Sequence, residues 1–285
     1  MQVSYTQAKI QTLDVEGIRT AYRRIGTSEG IPILFLNHLA ANMDGADPML
    51  LDALAEHFPV IAFDYQGIGR SGGEAPLSVE QMARETIAFV RGLGHTRVHL
   101  LGLSLGGFVA QAILRLAPDL ISSVILAGTG PAGDAGIAQV PRITYYDMLR
   151  GALMGRDARY YLFFPGTKEA RLRAEAFISR TKGFLDPDQS TKVKTLRRQL
   201  RAVVGWARSA PQDLSQVSQR VWVVNGDHDR MVPTSGSYDL ARRLPHATLT
   251  IYEGAGHGAI FQEPDRFIQQ ATVFYRANAS HQDSK

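Results

Sequence analysis

The stretch Val98-His99-Leu100-Leu101-Gly102-Leu103-Ser104-Leu105-Gly106-Gly107 decides how the rest of the chain is read. An apolar run of strand length leads straight into Gly102-x-Ser104-x-Gly106, and Gly107-Phe108-Val109-Ala110-Gln111-Ala112-Ile113-Leu114 behind it reads as a helix. Strand, tight turn and helix are the context in which G-x-S-x-G forms a nucleophile elbow, lifting the serine hydroxyl above a sheet. The turn demands small residues two before and two after the serine, and both are glycine. It also sets the Leu105 amide in the first turn of a helix, where unpaired N–H groups and the helix dipole favour negative charge. Leu105 is therefore expected to supply one half of an oxyanion hole.

Outward from this unit, residues 9–14 and 19–25 alternate apolar and polar about Glu16-Gly17, the pattern of an antiparallel hairpin at a sheet edge. The runs 33–36, 60–63, 98–103, 124–127 and 221–224 are short and continuously apolar, as in strands covered on both faces. Helical patterns at 48–57, 78–93, 106–116, 235–244 and 264–276 separate them. Such alternation predicts an α/β fold with a mostly parallel, doubly wound sheet of about eight strands. The polar tail beyond Asn278 is expected to fray.

The alternation stops between 131 and 218, where helical segments at 145–153, 158–164, 169–182 and 189–208 follow one another without a convincing strand. This predicts an α/β core from 1–130 and 219–285 and an inserted helical cap from 131–218. The cap holds 15 Lys and Arg against 8 Asp and Glu, so the basic surplus of the chain lies there. It is also rich in aromatic residues, some of which are expected to pack it onto the core and others to face substrate.

Composition narrows the function classes. With 285 residues, 45% hydrophobic and 20% charged, the chain has the profile of an ordinary globular protein. It has no cysteine, so neither thiol redox chemistry nor a disulfide framework enters. The net charge of +4 comes without a Lys/Arg block, which argues against nucleic acid as a partner. The start Met1-Gln2-Val3-Ser4-Tyr5 lacks signal-peptide character, and no run reaches the roughly eighteen apolar residues of a membrane span. A cytoplasmic location, no membrane and a small-molecule partner are the expectations, with no sign of oligomeric state.

A serine hydroxyl is a weak nucleophile near neutral pH and needs a general base within hydrogen-bond reach. Of eight histidines, His257 stands in the glycine-rich loop Glu253-Gly254-Ala255-Gly256-His257-Gly258, ahead of the last helix, where parallel sheets place their sites. A buried carboxylate must orient that base. The turn Asn225-Gly226-Asp227-His228-Asp229-Arg230-Met231-Val232-Pro233 offers Asp229, with Asp227 as the rival better suited to capping the turn. Asp227, His228 and Asp229 are too close in sequence to converge on a metal, and neither metal nor cofactor is expected.

Serine, acid and histidine in that order, with the elbow, acid turn, His loop and inserted cap, resemble the α/β-hydrolase superfamily over nearly the whole chain. The resemblance implies an α/β-hydrolase fold and a carboxylic ester hydrolase with Ser104, Asp229 and His257 as its triad. Many relatives carry His-Gly after the first parallel strand, and the residue after that glycine donates the second oxyanion N–H. Asn37-His38-Leu39-Ala40-Ala41-Asn42 stands there, so Ala40 is the matched donor and Leu39, in the glycine's place, the alternative. His38 is expected to brace this loop, and Asp64 and Arg70 to hold the loop Asp64-Tyr65-Gln66-Gly67-Ile68-Gly69-Arg70-Ser71-Gly72. The elbow lacks the nucleophilic Asp of dehalogenases and epoxide hydrolases of this fold, which leaves esters, lactones, activated amides and C–C bonds beside carbonyls. The runs 37–44, 127–131, 161–164 and 225–233 are similar to a subgroup that includes the serine-dependent macrolide esterases. That resemblance implies cleavage of a macrolactone ester, hence antibiotic resistance by inactivation, against two alternatives: a general small-ester or lactone hydrolase, and a small-lactone receptor that kept its triad. A basic cap facing the substrate would oppose a cationic amino sugar. The candidate pocket residues are His38, Leu39, Tyr146, Phe163, Trp206 and Met231.

Overall fold

The computed structural model describes residues 3–27 and 29–279. The first two residues and the tail from 280 onward, on which the leader and fraying expectations bear, lie outside the described residues. One sheet contains β1 (Gln11–Val15), β2 (Ile18–Ile25), β3 (Ile33–Leu36), β4 (Val60–Phe63), β5 (Val98–Leu103), β6 (Ile121–Ala127), β7 (Arg220–Gly226) and β8 (Ala247–Tyr252). The order across it is β1-β2-β4-β3-β5-β6-β7-β8. The edge hairpin is antiparallel, as is its junction to β4, and every pair from β4 to β8 is parallel. The eight-stranded, mostly parallel sheet anticipated from the alternation is present.

Between and beyond the strands lie α1 (Pro48–Ala55), α2 (Val79–Gly92), α3 (Leu105–Leu116), α4 (Val140–Leu153), α5 (Arg159–Leu162), α6 (Lys168–Arg180), α7 (Val193–Arg208), α8 (Thr234–Arg243), α9 (Ala259–Gln262) and α10 (Pro264–Ala279). Several of their starts carry side-chain caps: Asp47 accepts from Met49 N, Ser78 from Gln81 N and Thr167 from Ala170 N. Within β3, Leu34 and Leu36 join the core under α2, α3 and α8, while Ile33 and Phe35 join the core under α1 and α10. Covering both faces in this way is why the central strands read as unbroken apolar runs. Among the described residues, no helix is long and apolar enough to cross a membrane.

The chain winds from β3 to β4 on one side and then crosses to place β5 on the other side of β3. In open α/β sheets, ligands bind in the crevice outside the carboxyl ends of strands where the winding reverses. Here that crevice opens where Leu36 pairs with Gly102, next to the elbow serine.

Between β6 and β7 the described chain forms α4 to α7 and no strand. The last of these helices starts at Val193, where the pattern had suggested 189. Pro187 removes a donor and disfavours helix in the residue before it, and the segment around it packs as a strap on the core. Asp188 N donates to Asp44 Oδ2 (2.7 Å), Arg70 pairs with Asp186 (2.6 Å) and Asn42 Nδ2 donates to Gln189 O (3.0 Å). Arg23, fully buried, pairs with Asp44 at 2.6 Å and also donates to Asp186 O. Asp64 accepts from Met43 N at 2.8 Å, so it holds the neighbouring loop while Arg70 reaches across to the strap. On the far side of the cap, α4 is tied to the core through an ion pair between its buried Asp147 and Arg230.

Two predictions follow from the frame itself. A β-carbon on Gly106 would run into the backbone carbonyl of Leu36, and one on Gly102 would stand 2.6 Å from Gly106 O. Gly106→Ala should therefore cost about 3 kcal/mol or more, roughly 6–12 °C in Tm. Gly205→Ala, in α7 with open space around its Cα, should instead gain about 0.5–1 kcal/mol. Calorimetry on both variants checks the pair.

The second concerns His99, buried inside β5, with Nδ1 2.7 Å from Ser123 Oγ. Burial, aided by the charge of Arg97, pushes its pKa down to about 4. Between an unfolded value of about 6.5 and that figure, only the unfolded chain binds the proton, so stability falls as pH is lowered through this window. His99→Asn keeps a polar atom near Ser123 and removes the titrating ring. Its urea midpoint should drop less steeply than that of the parent between about pH 6.5 and 4, and equal slopes would mean that His99 is charged in the fold.

Candidate active site

Ser104 stands between β5 and α3 with φ 55 and ψ −115, a left-handed conformation that a non-glycine residue adopts only under constraint. The constraint is visible in the backbone hydrogen bonds. Ser104 N donates to Ala127 O (2.9 Å), while its carbonyl accepts from Gly107 N (2.8 Å) and Thr129 Oγ1 (3.0 Å). These bonds fix the main chain on both sides and leave the hydroxyl facing a cavity of about 420 Å³.

His257 lines the same cavity. Its Nδ1 lies 2.8 Å from Asp229 Oδ2, and the pair is buried. The other oxygen of Asp229 accepts from Met231 N (2.8 Å) and Val232 N (3.0 Å), so the carboxylate is held by the turn that follows β7. With Nδ1–H donated to this carboxylate, Nε2 carries the lone pair that a general base needs. To reach the elbow from the loop after β8, the imidazole passes the end of β6, where Gly128 sits at φ 53. A β-carbon there would stand 2.9 Å from His257 O and 3.3 Å from its Nδ1. Asp227, the rival acid, binds His228 at 2.7 Å on the exposed side of the same turn. No direct hydrogen bond joins Ser104 Oγ to His257 among the described residues. Catalytic contacts of this kind commonly tighten only when substrate is bound.

The loop after β3 can be read by asking where each amide goes. His38 N donates to Asn37 Oδ1 (2.9 Å), Ala40 N to Gln199 Oε1 (2.7 Å) and Ala41 N to His38 O (3.2 Å). Of the four amides from 38 to 41, Leu39 N alone has no acceptor among the described residues. Ala40, the donor matched by motif, has its N–H engaged by a side chain of α7, so the free donor is the alternative, Leu39. At the start of α3, Leu105 N likewise has no acceptor, as expected for a first-turn amide. Leu39, Leu105 and Ser104 all line the one cavity.

His38 braces this loop. Its Nδ1 lies 3.1 Å from Leu39 O, while burial first and the nearby Arg159 charge second push its pKa down to about 3. It is neutral at any working pH and unsuited to trade protons with substrate. Phe163 contacts both histidines edge-on, with ring centroids 4.8 Å from His38 and 5.6 Å from His257. Its carbonyl accepts from Gly258 N at 2.9 Å, so the short α5 of the cap is sewn to the His loop.

Four of the anticipated pocket residues, His38, Leu39, Phe163 and Met231, line the cavity. Two do not. Tyr146 is 63% exposed on the outer face of α4. Trp206 is 6% exposed, stacked on Phe108 at 5.6 Å, and its Nε1 donates to Gly130 O (3.3 Å), which makes it a packing residue between cap and core. The remaining walls are mainly apolar, with Val140, Leu162, Leu196 and Val203 from the cap facing Phe108 and Val232. Asn42, Asp44, Thr181 and Thr191 add polar groups to the lining. Arg159 also lines the cavity and is held by Asp157 through a two-pronged ion pair, 2.7 Å at its shorter arm. Neither Arg159 nor Gln199 carried a sequence signal, because their roles arise from how the cap docks. Among the described residues no cluster of His, Asp or Glu could hold a metal ion.

Known proteins share this fold. An alpha/beta hydrolase fold protein from Chitinophaga pinensis superposes with a TM-score of 0.91 at 30% identity, covering 95% of this chain and 98% of the other. A poly(3-hydroxyalkanoate) depolymerase from Ectopseudomonas oleovorans is 28% identical over 256 residues, 86% of this chain and 84% of the relative. An esterase from Thermogutta terrifontis has the same fold, with a TM-score of 0.74 at 22% identity, covering 95% and 100% of the two chains. The alpha/beta hydrolase fold family model matches residues 31–264. With that match running from β3 through the elbow and the inserted helices to the His loop, the chain belongs to the alpha/beta hydrolase fold family.

Proposed function

We propose that this serine hydrolase cleaves small, largely apolar carboxylic esters and lactones through an acyl-enzyme. The observation that carries the reading is the buried Asp229–His257 pair opening, together with the constrained Ser104, into one mainly apolar cavity of about 420 Å³. In this mechanism His257 Nε2 takes the Ser104 proton as Oγ attacks the ester carbonyl. The carbonyl oxygen becomes an oxyanion that receives hydrogen bonds from Leu39 N–H and Leu105 N–H, each contributing about 3 kcal/mol to the transition state. Collapse expels the alcohol, which collects the proton from His257. A water then gives its proton to the same nitrogen, attacks the acyl carbonyl and releases the acid, restoring Ser104 Oγ–H.

A depolymerase of hydroxyalkanoate polyester among the relatives fits an ester-cleaving chain, and so does the family fold. The macrolactone reading has one supporting observation of its own. Among the described residues Arg159 is the one cap cation lining the cavity, and it is paired with Asp157, so the basic surplus of the cap does not oppose a cationic sugar there. Against it, the substrate that a relative's name gives is a hydroxyalkanoate polyester and no sugar-bearing ring. The small-ester reading is therefore preferred.

Ser104→Ala should lower turnover of a short-chain nitrophenyl ester by several orders of magnitude with little change in Tm. Retained turnover would move the nucleophile elsewhere. Asp229→Asn should lose on the order of ten-thousand-fold, and Asp227→Asn should stay close to the parent; the reverse ranking would hand the acid role to Asp227. Incubating the protein with a panel of macrolides and looking by mass spectrometry for the gain of one water separates the two substrate readings. A gain at a rate matching the nitrophenyl ester would favour the macrolactone, and none with any member would remove it.

A further inference from the structure

Gln199 stands fully buried on α7, 159 positions along the chain from the loop it touches. Its Oε1 accepts from Ala40 N at 2.7 Å, and its Nε2 is buried without a partner. Leu196 and Val203, three residues before it and four after, share its face of the helix and line the catalytic cavity. The residue it holds is unusual, because Ala40 has φ 58, one of three non-glycine residues of the described chain in the left-handed region. Such a conformation persists only when its surroundings over-determine it.

The peptide geometry shows what the bond does. A trans peptide points its C=O and N–H in opposite directions. His38 O turns back to Ala41 N at 3.2 Å, which sends Leu39 N–H the other way, unpaired. That turn is kept by the left-handed Ala40, and Ala40 is kept by Gln199. On the same helix Thr195 Oγ1 donates to Gly67 O (2.9 Å) and Arg198 Nε to Ala75 O, so α7 docks on the core by side-chain bonds to three separate backbone sites. The loop after β3 is one of those sites.

We infer that Gln199 is a positioning residue for the oxyanion hole: by accepting the Ala40 amide it orients Leu39 N–H toward the reacting carbonyl, so that a cap helix sets transition-state stabilisation in the core. This rests on the hydrolytic reading of Ser104 and on Leu39 as donor. Gln199 touches no reacting atom in this scheme and acts through the loop.

The test compares the parent with Gln199→Met, which keeps the side-chain length and removes the acceptor. Steady-state hydrolysis of a short-chain nitrophenyl ester is measured beside inhibition by a boronic acid that mimics the tetrahedral adduct. Displacing the donor by a fraction of an ångström should lower kcat about 10- to 100-fold, leave KM within about twofold, and weaken boronate binding by a factor similar to the loss in kcat/KM. Gln199→Asn, whose amide falls one carbon short of Ala40, should give the same split and stands in if the Met variant does not fold. Unchanged kcat, a rise in KM alone, or parent-like boronate inhibition of the variant would overturn the role. So would faster turnover, which would mean that Gln199 blocks a donor at Ala40. The underlying reading fails separately, through a parent enzyme that ignores the boronate or a Ser104→Ala variant that still turns over.

Discussion

The catalytic rim depends on how closely the first turn of α3 passes the end of β3. Gly106 lies against the carbonyl of Leu36, with no room for a β-carbon between them. Because the helix must start so near the neighbouring strand, the chain can leave β5 only through the left-handed turn at Ser104. The same proximity brings the loop after β3 and the first amides of α3 to one place. The proposed nucleophile and oxyanion donors are thus placed by a single backbone approach, and the apolar strands on either side resist its relaxation.

Around that approach the electrostatics are arranged by exclusion of water. Asp229 spends one oxygen on two backbone amides and the other on His257, which satisfies a buried charge that would otherwise be costly. Phe163 from the cap lies against both His257 and the neutral His38, keeping the base in a dry setting where a developing charge is felt strongly. The cap is therefore part of the chemistry's surroundings as well as a cover.

The parallel sheet, the elbow and the His–Asp pair were legible in the sequence because each is written locally. Apolar runs of strand length, glycines flanking one serine, and glycine-rich turns around one aspartate and one histidine need no knowledge of distant contacts. The cap was legible only as helices. Which way a helix of mixed composition faces is settled by docking, and so Tyr146 turned outward and Trp206 went into packing. The oxyanion loop fell between these cases. Its place after β3 was readable, but matching by motif chose Ala40, and only an accounting of where each amide goes, including one to Gln199, left Leu39 free. The start of α7 was missed for a simpler reason, since Gln189 is held in the strap, its carbonyl accepting from Asn42 Nδ2 and its amide donating to Asp188, contacts that a local helical pattern does not show.

The wall formed by α4 carries a different meaning. Val140, Thr144 and Met148 line the cavity, while the helix is anchored by Asp147 through Arg230 and by Val140, which packs into the core. Substitutions at Thr144 and the partly exposed Met148 would therefore resize this wall and leave both the Asp147–Arg230 tie and the core packing of Val140 in place. A scaffold so divided can drift between substrates at little catalytic cost, which accounts in physical terms for one fold serving many esterases.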